Sequence, residues 1–509
     1  MLKEKIGKGR RRIIIDAEIN RNTILSVLTK AWGIHCLNIT DMKYLINYYK
    51  GSQDIEKRTT TYTSGINEKV TLNYAYSSVR DIIGYTFGKP AQLIQRKVKN
   101  RKDMEKIADI LEYENSALAD HETATLTAIT GVGYLCTLPT EEVLADYMPD
   151  IPVKINSLDN LTTFCVQSPK MGNPIILSCT YYSYNNKTYF LCFTDTEMYK
   201  IECDGKFSLN SNAKIIEYDI NPIGLNPITM VQNNQFLMGD FEVAISVLNA
   251  LNLIASDSVN DVENVIQSLL VIINAELNKE NAEKVKENRI LELVGEVGAN
   301  VDAKFIYQQL DSLGIQNLRE YFEEAYKTII GIPDRKTRGG GGGDTGDAVK
   351  LRDGWADIEI VARIKESYFK VAKKKQLAVI INILQRLNYI SDKIKLVDLD
   401  IKFSRNKNDN LQTKAQSYST IISTKTIAPE DALEMADMTT DVTEVITRGE
   451  TYWNKKQENQ NQNLINNKGA DSQQGDNNNE DKNAQKNNLV SNEPNKGSDD
   501  KTVKVRENL

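Results

Sequence analysis

Histidine and cysteine are scarce in this chain of 509 residues, which contains two histidines and six cysteines. His35 and His121 are too few to supply the several imidazoles of a typical His-based zinc site, and we interpret each as a packing or surface residue. The cysteines are too scattered for the disulfide framework of a small secreted domain, and no two have Cys-x-x-Cys spacing. We therefore predict reduced thiols at Cys36, Cys136, Cys165, Cys179, Cys192 and Cys203.

Long apolar runs are also missing. No run reaches the 18 or so residues that a membrane-spanning helix requires, and the closest stretch, Val265–Ala275, is interrupted by polar residues. The N-terminal residues Met1–Arg12 are basic but have neither the apolar stretch nor the small-residue cleavage site of a secretory signal. We expect a chain that stays in the cytoplasm where it is made and that binds no membrane.

A nucleotide-binding loop is absent as well, although the chain contains five consecutive glycines, Gly339–Gly343. The Walker A motif requires G-x-x-x-x-G-K-[ST], in which the lysine contacts the phosphates and the hydroxyl binds magnesium. Gly341 and Gly346 have the required spacing, but Asp347 and Ala348 follow them. We assign these glycines to backbone flexibility rather than to phosphate binding.

No other pattern predicts catalysis. The segment Gly131–Gly133 lacks the third glycine of a dinucleotide-binding fingerprint. No carboxylate pair is singled out by its spacing, and we interpret Glu320, Glu323 and Glu324 as a solvated helix face. We predict that the chain is not an enzyme and that it binds no metal and no cofactor.

The net charge of −6 argues against a protein that coats nucleic acid, because such proteins gain affinity from basic surface. Contact with DNA would have to be local. Arg335, Lys336 and Arg338 flank the glycine run, and a flexible basic loop there would suit brief contact with a phosphate backbone, although a solvated loop explains them equally well. We interpret the N-terminal run Lys8–Arg12 as solvated.

The spacing of apolar residues changes along the chain between helical and strand periods, which predicts an α+β fold. The length of the chain suggests about three domains. Helical spacing covers Asn22–Tyr49, Asp103–Ile129, a long helix from Asp240, Ser312–Ile330, Asp347–Asn388 and Asn410–Trp453. Strand-like runs at Ile175–Tyr182, Tyr189–Thr194 and Met198–Glu202 predict an antiparallel meander, and others occur at Ser268–Ala275, Arg289–Val294, Ala303–Leu310 and Leu396–Phe403. Polar residues dominate beyond Trp453, which predicts a disordered tail.

Several motifs resemble, in the same order, those of the portal proteins of long-tailed phages that infect Gram-positive bacteria. The most distinctive is Gly84-Tyr85-Thr86-Phe87-Gly88-Lys89-Pro90, which is similar to the family's G-Y-x-F-G-K-P block. Gly346–Lys350 resembles the S-G-x-A-L-K element that opens the family's longest helix, with Thr345 in place of serine and Val349 in place of leucine. Further similar segments are Ile46–Gly51, Asn73–Ala75, Gly131–Tyr134, Asn221–Ile228, Ile401–Asn410 and Thr426–Leu433.

The resemblance implies a phage portal fold with wing, stem, clip and crown regions, in which long helices form the stem and wing and the chain oligomerises into a ring. The implied regions are a wing at 1–233, stem helices at 234–263 and 311–331, a clip at 264–310, a tunnel loop at 332–347, a long wing helix at 348–395, a wing and crown helical region at 396–454 and a disordered polar tail at 455–509.

The resemblance also implies a function. A ring of about twelve copies would form the DNA channel at the unique capsid vertex, for genome packaging, DNA retention, head–tail joining and ejection. The implied partners are double-stranded DNA, the terminase large subunit (the ATPase motor), a head-completion or adaptor protein, and the major capsid and scaffolding proteins. The implied location is the virion, after assembly in the host cytoplasm.

In the tunnel loop and just after it, the resemblance assigns DNA contact to Arg335, Lys336, Arg338 and Lys350. The hinge would be formed by Gly339, Gly340, Gly341, Gly342, Gly343 and Gly346. The alternative to a portal is a head–tail connector (adaptor) ring subunit. Connector subunits are usually far shorter, and that assignment leaves the Gly84–Pro90 block unexplained.

Overall fold

A computed structural model describes residues 8–59, 67–95, 101–140, 152–266, 269–273, 302–306, 312–333, 355–405, 411–424, 426–436, 438–439 and 442–470. Helices and strands are mixed along the chain, as the sequence predicts. The helices are α1 (Ile24–Lys50), α2 (Tyr74–Phe87), α3 (Arg101–Tyr113), α4 (Ser116–Thr130), α5 (Ile245–Ile266), α6 (Ser312–Ile330), α7 (Trp355–Arg386), α8 (Leu411–Ser423), α9 (Pro429–Met435) and α10 (Val442–Ala470).

Thirteen strands in the described residues form four sheets. They are β1 (Ile13–Ile14), β2 (Gln92–Gln95), β3 (Val132–Pro139), β4 (Val153–Leu158), β5 (Thr163–Gln167), β6 (Ile175–Tyr184), β7 (Lys187–Phe193), β8 (Glu197–Asp204), β9 (Lys214–Ile220), β10 (Ile228–Gln232), β11 (Leu269–Ile273), β12 (Asp302–Ile306) and β13 (Leu399–Lys402). The sheet orders are β1-β5-β6-β7-β8-β9, β10-β3-β4, β11-β12 and β13-β2.

The six-stranded sheet packs one face against α1. Strands β5 to β9 pair antiparallel in sequence order, which confirms the predicted meander, and β1 adds to β5 in parallel. Phe164, Leu177 and Phe190 on the sheet share a core with Leu28 of α1. His35 lies in this core: burial lowers the pKa of its imidazole to about 4, and the ring stacks near Phe164. The interpretation of His35 as a packing residue is confirmed.

The cysteines are all free thiols, as predicted. Five of the six lie buried in strands β3, β5, β6, β7 and β8, and Cys36 of α1 is partly exposed. Cys179 and Cys192 face each other across β6 and β7, with 3.1 Å between their sulfur atoms. Burial raises the pKa of the Cys136 and Cys165 thiols to about 12, so these side chains behave as small apolar core residues.

The three-stranded sheet supports α4 on one part of its surface and α7 on another. The end of α4 is held at Gly131, whose φ of +88° is in the left-handed region that favours glycine. A Cβ at this position would lie 2.0 Å from the carbonyl oxygen of Leu237, and the N–H of Asn233 donates to the Gly131 carbonyl. The glycines of Gly131–Gly133 therefore serve close backbone packing.

Replacing Gly131 with alanine is expected to lower the free energy of unfolding by about 2–4 kcal/mol, because the new Cβ meets backbone and the residue must keep a positive φ. Chemical denaturation of the variant measures the loss. Gly33→Ala is the matched control: Gly33 is exposed on α1 and a Cβ there meets nothing within 4 Å, so that variant should be as stable as the parent or slightly more. Equal stability of Gly131→Ala and the parent would contradict this account of the α4 terminus.

Helix α5 binds an extended segment through a row of polar side chains spaced four residues apart. Asn260, Ser256 and Asn252 accept hydrogen bonds from the backbone N–H groups of Glu68, Val70 and Leu72, at 2.7, 2.9 and 2.8 Å. Four helical residues advance about 6 Å and two extended residues about 6.6 Å, so the two repeats stay in step. By length and composition Glu242–Glu263 would also suffice to cross a membrane, but it carries this polar row and a third of it is buried in the protein.

Two boundaries differ from the predictions. The helical stretch predicted at Asp103–Ile129 is divided into α3 and α4 at Asn115, which has a φ of 49°. The disordered tail predicted from residue 455 is wrong as far as Ala470, because α10 continues to that residue. Lysine, glutamate and glutamine favour helix even where no apolar face is present, so the polar composition after Trp453 does not by itself end the helix. The predicted strand Arg289–Val294 lies outside the described residues.

Candidate functional site at the α6–α7 junction

The described residues before and after the predicted tunnel loop lie close together in the fold. Helix α6 ends at Gly331, whose φ is +74° and whose N–H donates to the Lys327 carbonyl at 2.8 Å. A Cβ at Gly331 would lie 2.8 Å from a methyl group of Val361 in the second turn of α7. The end of α6 thus contacts the beginning of α7, although residues 334–354 lie between them in the sequence.

The residues assigned to DNA contact and to the hinge belong to this intervening segment. Arg335, Lys336, Arg338 and Lys350, with glycines 339–343 and 346, lie outside the described residues. Their assignments therefore stay predictions. The described residues define instead how the two flanking helices are held.

The first turns of α7 are fixed by a charged group that we call the Arg405 cluster, formed by Arg405, Glu359, Glu366 and Tyr85. The Arg405 guanidinium donates to Glu359 at 2.9 Å and also contacts Glu366, and the Tyr85 hydroxyl donates to Glu359 at 2.8 Å. Because both carboxylates lie on α7 while Arg405 follows β13 and Tyr85 lies in the last turn of α2, three separate elements meet at the start of this helix.

The Arg405 cluster should make part of the stability depend on acid pH. Burial alone would raise the pKa of Glu359, but hydrogen bonds from Arg405, Tyr85 and Arg363 outweigh it and lower the pKa to about 2. A carboxylate with a lowered folded-state pKa contributes stability that is present above its unfolded pKa near 4.5 and is lost as the pH falls toward 2. We expect Glu359→Gln to lower the melting temperature at pH 6 and to reduce its decline between pH 4.5 and 2.

Differential scanning fluorimetry across this pH range measures the effect. Glu122→Gln, which alters an exposed carboxylate on α4, is the control and should leave the pH profile unchanged. An unchanged profile for Glu359→Gln would contradict the role assigned to the cluster.

Aromatic residues continue the same contact along α7. Phe87, at the end of α2, packs against Phe369 of α7 with ring centroids 4.7 Å apart, and against Phe403 at 5.7 Å. The Tyr85 ring packs with Ile358 and Ala362. The aromatic residues of the Gly84–Pro90 block therefore pack against the first half of α7.

Two buried lysines fix α7 along its length. Lys365 donates to Asp240 and Asn233 at 2.7 and 2.6 Å. About two turns later on α7, Lys373 donates to Asp120 and Ser116 of α4 at 2.7 and 2.8 Å. Burial raises the pKa of Asp120, and the Lys373 ammonium opposes that rise. Removing either partner would leave a buried charge uncompensated, so these pairs specify where α7 lies.

Helix α6 is held at Glu323, and the prediction that Glu323 is solvated is wrong. Its side chain is buried and accepts hydrogen bonds from the Tyr74 hydroxyl at 2.8 Å and from Arg319 at 2.9 Å. Burial, together with the hydrogen bond to Glu323, raises the pKa of Tyr74 to about 12. Glu320 and Glu324, which were predicted to share this face, are exposed.

The N-terminal basic run is also not solvated as a whole. Arg10 is buried and donates to Glu242 at 2.7 Å, and the same carboxylate accepts from the N–H groups of Gly9 and Gly239 at 2.6 and 2.9 Å. Arg11 pairs with Asp41 at 2.8 Å. The prediction failed because a run of basic residues resembles a solvated tail unless its buried acidic partner, more than 200 positions away, is known.

The junction therefore presents two fixed helices on either side of a basic, glycine-rich segment. The model of the phage portal protein family described as SPP1 Gp6-like matches residues 29–488, which is most of the chain. The chain belongs to this portal family. As a phage portal protein it is a structural component of the virion and forms the channel at the capsid vertex. This assignment favours the portal over the connector alternative.

Comparison with solved structures gives a more distant likeness. One chain of a structure titled "Neck of empty GTA particle computed with C6 symmetry" matches this portal protein with a TM-score of 0.43 and 12% sequence identity, covering 71% of this chain and 89% of that chain. A comparison with curated proteins finds no match.

Sequence reasoning missed the charged residues that fix α7 in the portal protein. Lys365 and Lys373 could have been found, because they lie at helical spacing among the apolar positions Ile358, Ala362 and Phe369 that face inward. Arg405 gave no such signal, since it follows the short strand β13 and lies in no long periodic segment.

Proposed function

We propose that about twelve copies of this portal protein assemble into a ring around a central channel through which double-stranded DNA enters and leaves the capsid. The family match carries this proposal. The long helix supports it: the described part of α7 has 32 residues, about 48 Å of helix, and three large apolar side chains remain exposed along it. A helix of this length with an uncovered apolar stripe is suited to a neighbour in an oligomer.

The proposed regions follow from the same family relation. Helices α5 and α6, which pack against each other, form the stem, and the β11–β12 pair belongs to the clip outside the capsid. The α1 to β10 part and α7 form the wing, while α8 to α10 contribute to the crown. Residues 332–347 form the tunnel loop, and the contact between Gly331 and α7 fixes the α6 end of this loop.

The proposed partners of the ring follow its position at the vertex. A terminase ATPase supplies the work of packaging, an adaptor binds the clip, and capsid or scaffolding proteins surround the wing. In the channel, Arg335, Lys336, Arg338 and Lys350 contact the DNA backbone while the acidic net charge keeps overall attraction weak, so that DNA slides rather than binds.

Electron microscopy of the purified full-length protein tests the ring. We expect negatively stained particles that are annular with a central hole. Sedimentation analysis should give one species of about twelve times the subunit mass of 57.4 kDa. A monodisperse monomer at high concentration would contradict the proposal.

A further inference from the structure

We infer that neighbouring subunits meet through the exposed side of α7 on one copy and the exposed side of α6 on the next, an inference that rests on the ring proposed above. We call the first surface face A, formed by Ile360, Ile364, Val371 and the flanking Ser367 and Lys375. The second, face B, is formed by Leu318, Tyr321, Ile329 and the flanking Glu324 and Thr328.

Face A is an apolar stripe on a helix whose other side is covered. Ile360, Ile364 and Val371 are 57%, 53% and 59% exposed, and their spacing of four and seven residues places them on one side of α7. The opposite side carries the buried residues described above, including Lys365 and Phe369. Large apolar side chains aligned in this way on an otherwise well-packed helix mark a contact surface rather than scattered surface residues.

Face B has the same character on α6. Leu318, Tyr321 and Ile329 are 48%, 64% and 50% exposed. The buried residues Glu323, Tyr326 and Ile330 hold the other side of this helix against the body of the subunit. Exposed tyrosine is enriched at protein interfaces because its ring gives apolar contact while its hydroxyl remains available for hydrogen bonding.

The two faces carry opposite charge. Glu324 lies one turn after Tyr321, borders face B and is exposed. Lys375 continues face A beyond Val371 and is exposed as well, whereas the exposed Arg363 beside Ile364 is paired with Glu359 at 3.1 Å. Apolar residues can therefore meet apolar residues while the acidic border of α6 meets the basic border of α7.

The occupant of each face is a second copy of this chain. Because the faces are different surfaces, contact between A and B is heterologous, and repeated heterologous contacts close a ring where a self-complementary contact would close only a pair. This geometry agrees with the ring proposed for the portal and names the residues that would form it.

Charge reversal with rescue tests the pairing of the faces. One variant carries Ser367→Glu and Lys375→Glu on face A, and a second carries Glu324→Lys and Thr328→Lys on face B. In full-length protein at low salt we expect each variant to reduce the fraction of subunits in rings by about tenfold or more, because like charges then face each other across the interface. Size-exclusion chromatography with light scattering measures this fraction. A third variant with all four substitutions should recover most of the rings, since attraction is restored with the signs exchanged.

Cross-linking gives a second reading that does not depend on the stability of charge variants. Rings of a chain with both Tyr321→Cys and Val371→Cys, treated with a short bis-maleimide, should give a ladder of covalent oligomers in denaturing gels. Chains with only one of these cysteines should not, and Ile220→Cys, at an exposed isoleucine of β9, paired with Tyr321→Cys is the matched control.

The outcomes separate this inference from the proposed function. If the parent protein forms rings but the reversed variants assemble normally, or the four-fold variant is not rescued and no ladder forms, the assignment of faces A and B is overturned while the portal ring stands. If the parent protein forms no rings, the proposed function itself fails.

Discussion

Replacing Glu242 with alanine is expected to lower the free energy of unfolding by about 3–5 kcal/mol. The side chains of Arg10 and Glu242 are 1% and 2% exposed, so loss of the carboxylate would leave a buried guanidinium without its counter-charge. The substitution also removes the acceptor for the N–H groups of Gly9 and Gly239. Few single substitutions should lower the stability of this protein more, because the carboxylate joins the N-terminal segment at Gly9 and Arg10 to the segment that leads into α5.

Chemical denaturation monitored by circular dichroism measures this loss. The control is Glu217→Ala, which removes one partner of the solvent-exposed Lys200–Glu217 pair on the six-stranded sheet. Exposed pairs contribute about 0–1 kcal/mol, so the control should differ little from the parent. A Glu242→Ala protein as stable as the control would show that the stability of the protein does not depend on the Arg10–Glu242 pair.

Deleting Gly339–Gly343 is expected to abolish DNA packaging while leaving ring assembly intact. The deletion shortens the segment between α6 and α7 by five glycines, the residue type with the greatest backbone freedom, whereas the contacts that fix both helices lie outside it. In a packaging reaction with terminase and proheads, nuclease-protected DNA should fall to the level of a reaction without portal.

The matched control keeps the length and flexibility of the loop. Gly340→Ser with Gly342→Ser should package DNA nearly as well as the parent, because serine and glycine linkers are both flexible. Normal packaging by the deletion protein would remove the tunnel-loop role from these glycines. Loss of rings as well as packaging would show instead that the segment is needed for assembly.

Periodicity predicted the secondary structure well where a segment has one continuous apolar face. Helix α6 has the predicted bounds, Ser312–Ile330, because Gly331 with its positive φ ends it, although its apolar residues Leu318 and Ile329 are exposed and the buried side contains Glu323. The meander was predictable because alternate residues such as Cys179 and Tyr181 face the core. The order of motifs along the chain predicted the family, which the family model confirms.

Pairing between distant segments could not be predicted in this way. A buried charge such as Arg10 is tolerated only because Glu242 meets it, and one sequence gives no measure of which residues meet. Glu323 belongs to the same class, since its partner Tyr74 is 249 positions away. Composition misled in the opposite direction at α10, where a polar segment forms a helix without an apolar face.

We propose that the segment between α6 and α7 lines a pore formed by identical copies. A cryo-EM reconstruction of purified rings shows where residues 334–350 lie relative to the symmetry axis. We expect this segment to project toward the axis and to narrow the channel between the stem and wing helices. A reconstruction that places it on the outer surface of the ring, away from the axis, would exclude this role.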